Sequence, residues 1–196
     1  DINFFRENPE VSWKMIKEVF FSEVNQPKPN KAHLILAEME EAGILKSIIT
    51  QNIDNLHQEA GSRNVLEFHG NCRRLVCLGC DSTIPLEKNR MEKIPVRCDS
   101  CGGLVRPDFI FFSEPIHPGM KRKSFLEAEK ADTVLVIGTT GEVYPSAMVP
   151  AWAKTNGAFI IEINVKESEI TRKLADIFIE GKATEIMEKI GKGLPL

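Results

Sequence analysis

The chain has no apolar run near the roughly 20 residues needed to span a bilayer, which excludes an integral helical membrane protein. It has no excess of positive charge. Its 25 Lys and Arg against 28 Asp and Glu leave a formal net charge of −3, and no basic run is longer than Lys121-Arg122-Lys123. That removes the electrostatic case for a nucleic-acid binder. It lacks the basic-then-apolar opening of a signal peptide, so its cysteines read as those of a reducing, cytoplasmic protein. No G-x-G-x-x-G, internal repeat or low-complexity tract is present. With 42% hydrophobic and 27% charged residues over 196 positions, the composition is that of a globular protein, not a disordered one. The length fits one domain with a small inserted module.

Four of the five cysteines form two pairs, Cys77-Leu-Gly-Cys80 and Cys98-Asp-Ser-Cys101. This C-x2-C … C-x2-C spacing is that of a structural zinc site. A two-residue gap lets a tight turn aim both sulfurs at one ion. Four thiolates close a tetrahedral zinc and leave no position for water, so the expected role is scaffolding and not catalysis. Two disulfides are the competing reading, disfavoured in a reducing compartment. Cys72 lies outside the pattern and reads as a buried thiol. Residues 72–105 carry few large apolar side chains and read as a zinc-stapled module. Residues 1–71 and 106–196 form the remaining domain.

That domain alternates helices and strands. Asn8-Pro9 predicts a capped helix start, and Trp13, Ile16, Val19 and Phe20 recur at helical spacing. Residues 26–30 break the chain. Asn30 caps a helix that stops at Gly43. Ile48-Ile49 is a short apolar run, and 109–112 a strand or extended segment. Residues 119–131 suit a helix. Thr133–Ile137 is a β-branched strand buried on both faces, with a helix near 146–156 after it. Further strands are expected at 159–163 and 177–179, and a last helix at 183–190. The order predicts an α/β fold: a Rossmann-like parallel sheet with helices on both faces.

Small polar residues succeed each apolar run: Thr50–Asp54, Gly138-Thr139-Thr140, Asn164, and Glu180-Gly181-Lys182. Each cluster alone reads as an ordinary turn. Four on one carboxyl edge favour a ligand, because open α/β sheets bind there and Asn or Gln can hydrogen-bond a ribose or an amide.

Three segments together carry a specific resemblance. They are Thr50-Gln51-Asn52-Ile53-Asp54-Asn55-Leu56-His57, Leu66-Glu67-Phe68-His69-Gly70 ahead of the cysteine pairs, and Gly138-Thr139-Thr140 with Val143-Tyr144-Pro145. The chain resembles the sirtuins, the NAD-dependent protein-lysine deacylases, from near residue 1 to about residue 190. The resemblance implies NAD as co-substrate, an acyl-lysine protein or peptide as partner, and nicotinamide, free lysine and O-acyl-ADP-ribose as products. It implies a catalytic general base at His69, with Asn52 and Asp54 ordering the nicotinamide ribose and amide, and Gln51 and Ile53 completing that wall. Gly138, Thr139 and Thr140 match contacts to phosphate and ribose, Asn164 a ribose ligand, and Ala183 a backbone contact to adenine. Ile110, Phe112, Ser113, Glu114, Glu142 and Val143 match the two strands that clamp the substrate peptide. Ser113 replaces the glycine usual in that clamp. His57 reads as structural, within a short helix, and His33 and His117 as surface or capping residues.

The resemblance leaves other outcomes open: mono-ADP-ribosyl transfer, or a non-catalytic NAD- or peptide-binding module. It also implies acetyl above succinyl. The helix over residues 9–24 lacks the Tyr-x-x-Arg pair by which related enzymes hold acidic acyl groups, and Lys17 is its only substitute. The family's opening strand, Gly-Ala-Gly-x-Ser loop and Asp-Phe-Arg segment have no counterpart here. Asp1-Ile-Asn-Phe-Phe resembles the stretch after that loop, so the expectation is a working protein with residues before Asp1, and weak NAD binding without them.

Overall fold

Hydrophobic alternation and β-branching set the larger of two compact units. The computed structural model describes residues 1–21 and 27–195. One unit comprises Asp1–Lys28, Asn52–Asn55 and His69–Ile116; the other Pro29–Gln51, Leu56–Phe68 and His117–Leu196. Gln26, part of the expected chain break, lies outside the described residues. Among the described residues no helix is long and apolar enough to cross a membrane.

In the first unit, α1 (Ile2–Glu7) starts at Asp1, whose carboxylate accepts from the amides of Asn3 at 2.8 Å and Phe4 at 3.4 Å. That satisfies two of the orphan donors every helix start leaves. α2 (Pro9–Phe20) comes directly after, with Pro9 in its first turn. Asn8 occupies the cap position without the expected side-chain bond; the proline has already removed one orphan donor. Three strands, β3 (Gly70–Cys77), β4 (Thr83–Pro85) and β5 (Val105–Phe109), pair antiparallel in the order β4-β3-β5. A 3-10 turn spans Lys88–Met91. Phe5, Trp13, Leu75 and Val105 are fully buried between helices and sheet. The Trp13 indole N–H donates to the Val105 carbonyl at 2.9 Å, so the ring is packed without stranding its polar atom. This unit contains residues 72–105 and adds 1–28, 52–55, 69–71 and 106–116, because α1 and α2 supply the apolar cover that the short strands cannot make themselves.

In the second unit, β1 (Ile48–Thr50) pairs parallel with β2 (Val65–Glu67). β6 (Thr133–Ile137), β7 (Phe159–Asn164) and β8 (Ile177–Glu180) form a parallel sheet in that order. α3 (Lys31–Glu41) packs on α8 (Ala183–Gly193), and α5 (Pro118–Lys130) on α6 (Met148–Thr155). Leu135, Ile137, Ile163 and Ile179 share one cluster with Leu36, Met39 and Met187 of α3 and α8. Residues 160 and 162 point to the opposite face by strand alternation, where α6 contacts β6 and β7. Helices therefore lie on both faces, as expected. Each fully buried Ile or Met contributes about 1.5–3 kcal/mol; Ile160, Ile163 and Met187 are such residues. Asn30 caps α3 as expected, with His33 closing a reciprocal capping box.

Short elements escaped the sequence. α1, β2, β4 and α7 (Glu169–Lys173) span three to six residues. None is long enough to display a period. The short helix expected around His57 is present as the single turn α4 (Leu56–Glu59). The strand or extended segment expected at 109–112 is a strand only at Phe109, where β5 ends; residues 110 and 111 have no regular structure, and Phe112-Ser113 form a turn.

Candidate functional site

The four paired cysteines converge. Their sulfurs all lie within 4.8 Å of one another, with Cys77 and Cys101 at 3.4 Å and Cys80 and Cys98 at 3.8 Å. A tetrahedron with Zn–S bonds of about 2.3 Å requires sulfurs roughly 3.8 Å apart, so the geometry fits one zinc ion. Gly79 and Gly103 make room: a Cβ on Gly103 would sit 3.0 Å from the Cys77 sulfur. The thiols also oppose one another electrically. The amide of Gly103 lowers Cys101, but Cys77 and Cys80 push it up to about 12, whereas the Ser82 hydroxyl holds Cys98 down at about 6. Such a set cannot be fully ionised without a cation at its centre. No ligand position is left over, so the site is structural. Cys72 is buried away from it, as expected.

The second unit builds the carboxyl edge of its sheet from the predicted residues. Gly138 comes after β6 at φ +65°, and a Cβ there would meet open space. Its amide donates to the Ile163 carbonyl at 3.1 Å. The Thr139 hydroxyl accepts from the Gly141 amide at 3.2 Å, which closes the turn around Thr140. Asn164, at the end of β7, donates its side-chain amide to the Thr139 carbonyl at 2.9 Å and receives the Val165 amide at 2.9 Å on Oδ1. Its backbone carbonyl receives the Gly181 amide at 2.9 Å. Ala183 opens α8, whose cap residue Lys182 makes no side-chain bond to the first turn. This edge therefore offers a carbonyl-and-amide turn, a fixed acceptor at Asn164 Oδ1, and a helix start whose amides suit an acceptor. Those features fit a dinucleotide. Gln51 comes after β1 in this unit, and the Thr50 carbonyl receives the Phe68 amide at 2.9 Å.

Asn52, Ile53, Asp54, His69 and the 110–114 segment belong to the first unit. The 52–55 turn is fastened to β3: the Cys72 amide donates to the Ile53 carbonyl at 2.9 Å, and Asn71 donates its side-chain amide to Asn55 at 2.9 Å. His69 occupies the turn before β3, half-buried, and its carbonyl receives the Ile110 amide at 2.9 Å. The glycine after it is dictated by crowding. Gly70 has φ +79°, and a Cβ there would lie 2.0 Å from the Asp108 carbonyl oxygen. The backbones of β3 and β5 approach too closely for a side chain at that point.

The clamp residues separate into two kinds. Phe112 is 87% exposed and available to a partner, and in the second unit Glu142 and Val143 are exposed. Glu114 instead turns inward, where its carboxylate pairs with Arg106 and receives the Phe111 amide at 2.8 Å. Ser113 sits at φ +72°, a conformation that costs a non-glycine residue about 1–2 kcal/mol. The strand expected at this position would not explain why glycine suits it; the left-handed turn does. Here the serine hydroxyl donates to the Asp1 carboxylate at 2.6 Å and helps hold that turn. His57 lies in α4, its ring 4.7 Å from the His33 ring.

One residue of this region went unread. Glu162 is fully buried inside β7, and its only signal was a lone acid within the apolar run Phe159–Ile163.

A parallel α/β unit with a ligand-ready carboxyl edge, joined in one chain to a four-thiolate zinc unit, defines a zinc-stapled nucleotide-binding class. Comparison narrows the class. The Sir2 family profile matches residues 1–145. An NAD-dependent protein deacylase of Thermococcus sibiricus is 46% identical over 95% of this chain and 74% of its own length. A solved Sir2–p53 peptide–NAD+ complex superposes with a TM-score of 0.90 at 33% identity, covering 98% of this chain and 81% of that one. A Sir2 bound to acetylated peptide gives 0.91 at 32% identity, covering 98% and 82%. The chain belongs to the Sir2 family.

Proposed function

We propose that this protein is an NAD-dependent protein-lysine deacylase that works as a deacetylase, moving the acyl group of an acyl-lysine to ADP-ribose as nicotinamide leaves. The observation that carries the reading is the 46% identity, over 95% of the chain, to a relative named for this activity. Bound NAD supplies the nicotinamide–ribose bond, whose cleavage opens a ribosyl carbon to the acyl oxygen. His69 is the general base and takes the proton of a ribose hydroxyl. An imidazole suits that work because one ring nitrogen can take a proton while the other is held by a hydrogen bond. Asn52 and Asp54 orient the nicotinamide ribose and amide, with Gln51 and Ile53 beside them. Gly138, Thr139 and Thr140 hold the phosphates and adenosine ribose.

Asn164 has committed both amide hydrogens, so it takes part as an acceptor, receiving a ribose O–H on Oδ1. Ala183 offers its backbone to adenine. Ile110, Phe112, Ser113, Glu142 and Val143 hold the peptide around the acyl-lysine. Glu114 supports the turn through Arg106. Replacing His69 with Ala should lower nicotinamide-coupled deacetylation of an acetyl-lysine peptide about 10²–10⁴-fold, with an unchanged melting temperature. Wild-type turnover in that variant would overturn the assignment.

The acyl preference comes from α2. The Lys17 ammonium donates to the Met91 carbonyl at 3.1 Å, so the lysine that could substitute for the Tyr-x-x-Arg pair is engaged with the backbone. Matched peptides should lose acetyl faster than succinyl; faster succinyl removal would contradict this.

A further inference from the structure

Glu162 is buried with no exposed surface in the middle of β7. Its neighbours surround it with hydrogen-bond donors. The Ser168 hydroxyl receives the Ile170 amide at 2.9 Å, so its own hydrogen goes to Glu162 Oε1 at 2.6 Å. The Thr171 hydroxyl receives the Ser168 amide at 2.9 Å and gives its hydrogen to Glu162 Oε2. Asn164 Nδ2 gives one hydrogen to the Thr139 carbonyl at 2.9 Å and the other to Glu162 Oε1 at 3.2 Å. Three donors thus converge on the carboxyl group, and none of them needs a hydrogen in return. A protonated Glu162 would point an O–H at another donor. The group is therefore a carboxylate, stabilised by charge-assisted bonds.

We propose that Glu162 is a positioning residue for the NAD site. It does not touch the ligand. It holds the Asn164 amide so that Oδ1 faces outward and Nδ2 grips the Thr139 carbonyl, which sets the Gly138–Gly141 turn before NAD arrives. The same carboxylate ties this edge to the start of α7 through Ser168 and Thr171. Ordering these groups in advance spares binding the entropy of ordering them afterwards. Without the charge, the Asn164 amide can rotate, and the acceptor offered to a ribose hydroxyl becomes a donor for part of the time.

This inference rests on the deacylase reading, and the experiment separates the two. Glu162→Gln keeps the shape and removes the charge. Calorimetric titration of the full protein with NAD should show affinity reduced about tenfold, the size of one lost bond to a charged group. The KM for NAD should rise in step, while the KM for an acetyl-lysine peptide and the zinc content stay at wild-type values. If Glu162→Gln does not fold, Thr171→Val removes one donor and should weaken NAD binding in the same direction, with Thr171→Ser restoring it. NAD affinity within twofold of wild type in the folded variants overturns the proposal, as does an equal rise in both KM values. Full-length wild-type protein that binds no NAD and releases no nicotinamide overturns the deacylase reading first, and this proposal with it.

Discussion

The two compact units solve the problem of stability differently. The second surrounds a parallel sheet with helices and buries Ile160, Ile163 and Met187 completely. Among the described residues it holds no cluster of metal ligands. Among its described residues the first has three antiparallel strands, two α-helices and a region between Pro85 and Val105 with little regular structure. Its aromatic core of Phe5, Trp13, Phe109 and Phe111 covers one part of the sheet. Around the cysteines the backbone is joined by a few bonds, such as the Leu78 amide to the Leu104 carbonyl at 2.8 Å and the Cys98 amide to the Gly103 carbonyl at 2.9 Å, and the four thiolates placed there let a metal staple the same turns. A small sheet that cannot bury enough apolar surface needs such a staple, whereas a helix-covered parallel sheet does not.

Zinc removal should break this contrast open. Cys77→Ala, or a strong chelator, should release the metal and expose the amides of β3 and β5 to hydrogen exchange while β6, β7 and β8 keep their protection. Structural zinc contributes up to about 10–16 kcal/mol in small domains, so this is the largest effect expected. Substoichiometric zinc in freshly purified, chelator-free protein would contradict it. The converse change belongs to the second unit. Met187→Ala leaves a cavity between α3, α8 and the sheet and should cost about 2–5 kcal/mol in denaturant unfolding, with zinc content unchanged.

A smaller test concerns surface charge. In α7 the ammonium of Lys173, 2.5 Å away, and then the guanidinium of Arg172 hold the Glu169 carboxyl down at about 2. A depressed carboxyl stabilises the fold above its unfolded value of about 4.3, and the gain disappears as pH falls toward 2. Glu169→Gln should therefore differ from wild type slightly at neutral pH and converge with it near pH 2. Thermal melts across that range, repeated at high salt to screen the exposed pairs, check the sign.

Much of this molecule was legible because its signals are local. β6 is a β-branched run and β7 an apolar run interrupted by Glu162, although β6 is half-buried along most of its length instead of buried on both faces; α5 begins and ends where its spacing said it would, within a residue. The cysteine pairs were legible for a different reason: a C-x2-C turn is a complete local geometry before it meets its metal. His69 was picked out by resemblance, whereas Gln51–Asp54 and Gly138–Thr140 stood out first as polar clusters after apolar runs and took their roles from resemblance. The geometry then supplied reasons for neighbours that resemblance had only copied, such as Gly70 pressed against the Asp108 carbonyl.

Sequence alone determined whatever one short segment can encode: strand propensity, the helix cap at Asn30, the thiol spacing and the small residues that come after each strand. Tertiary structure decided the rest, because the deciding partners are distant in the chain. The parallel pairing of β1 with β2 sets Ile48 against Val65. The inward turn of Glu114 depends on Arg106 across a turn, and the tolerance of Ser113 for a left-handed backbone rests on the Asp1 carboxylate 112 positions away. Glu162 shows the principle most plainly. Along the chain it is an acid misplaced in an apolar strand. Only when Asn164, Ser168 and Thr171 close around it does its charge acquire three donors, and burial ceases to be a penalty.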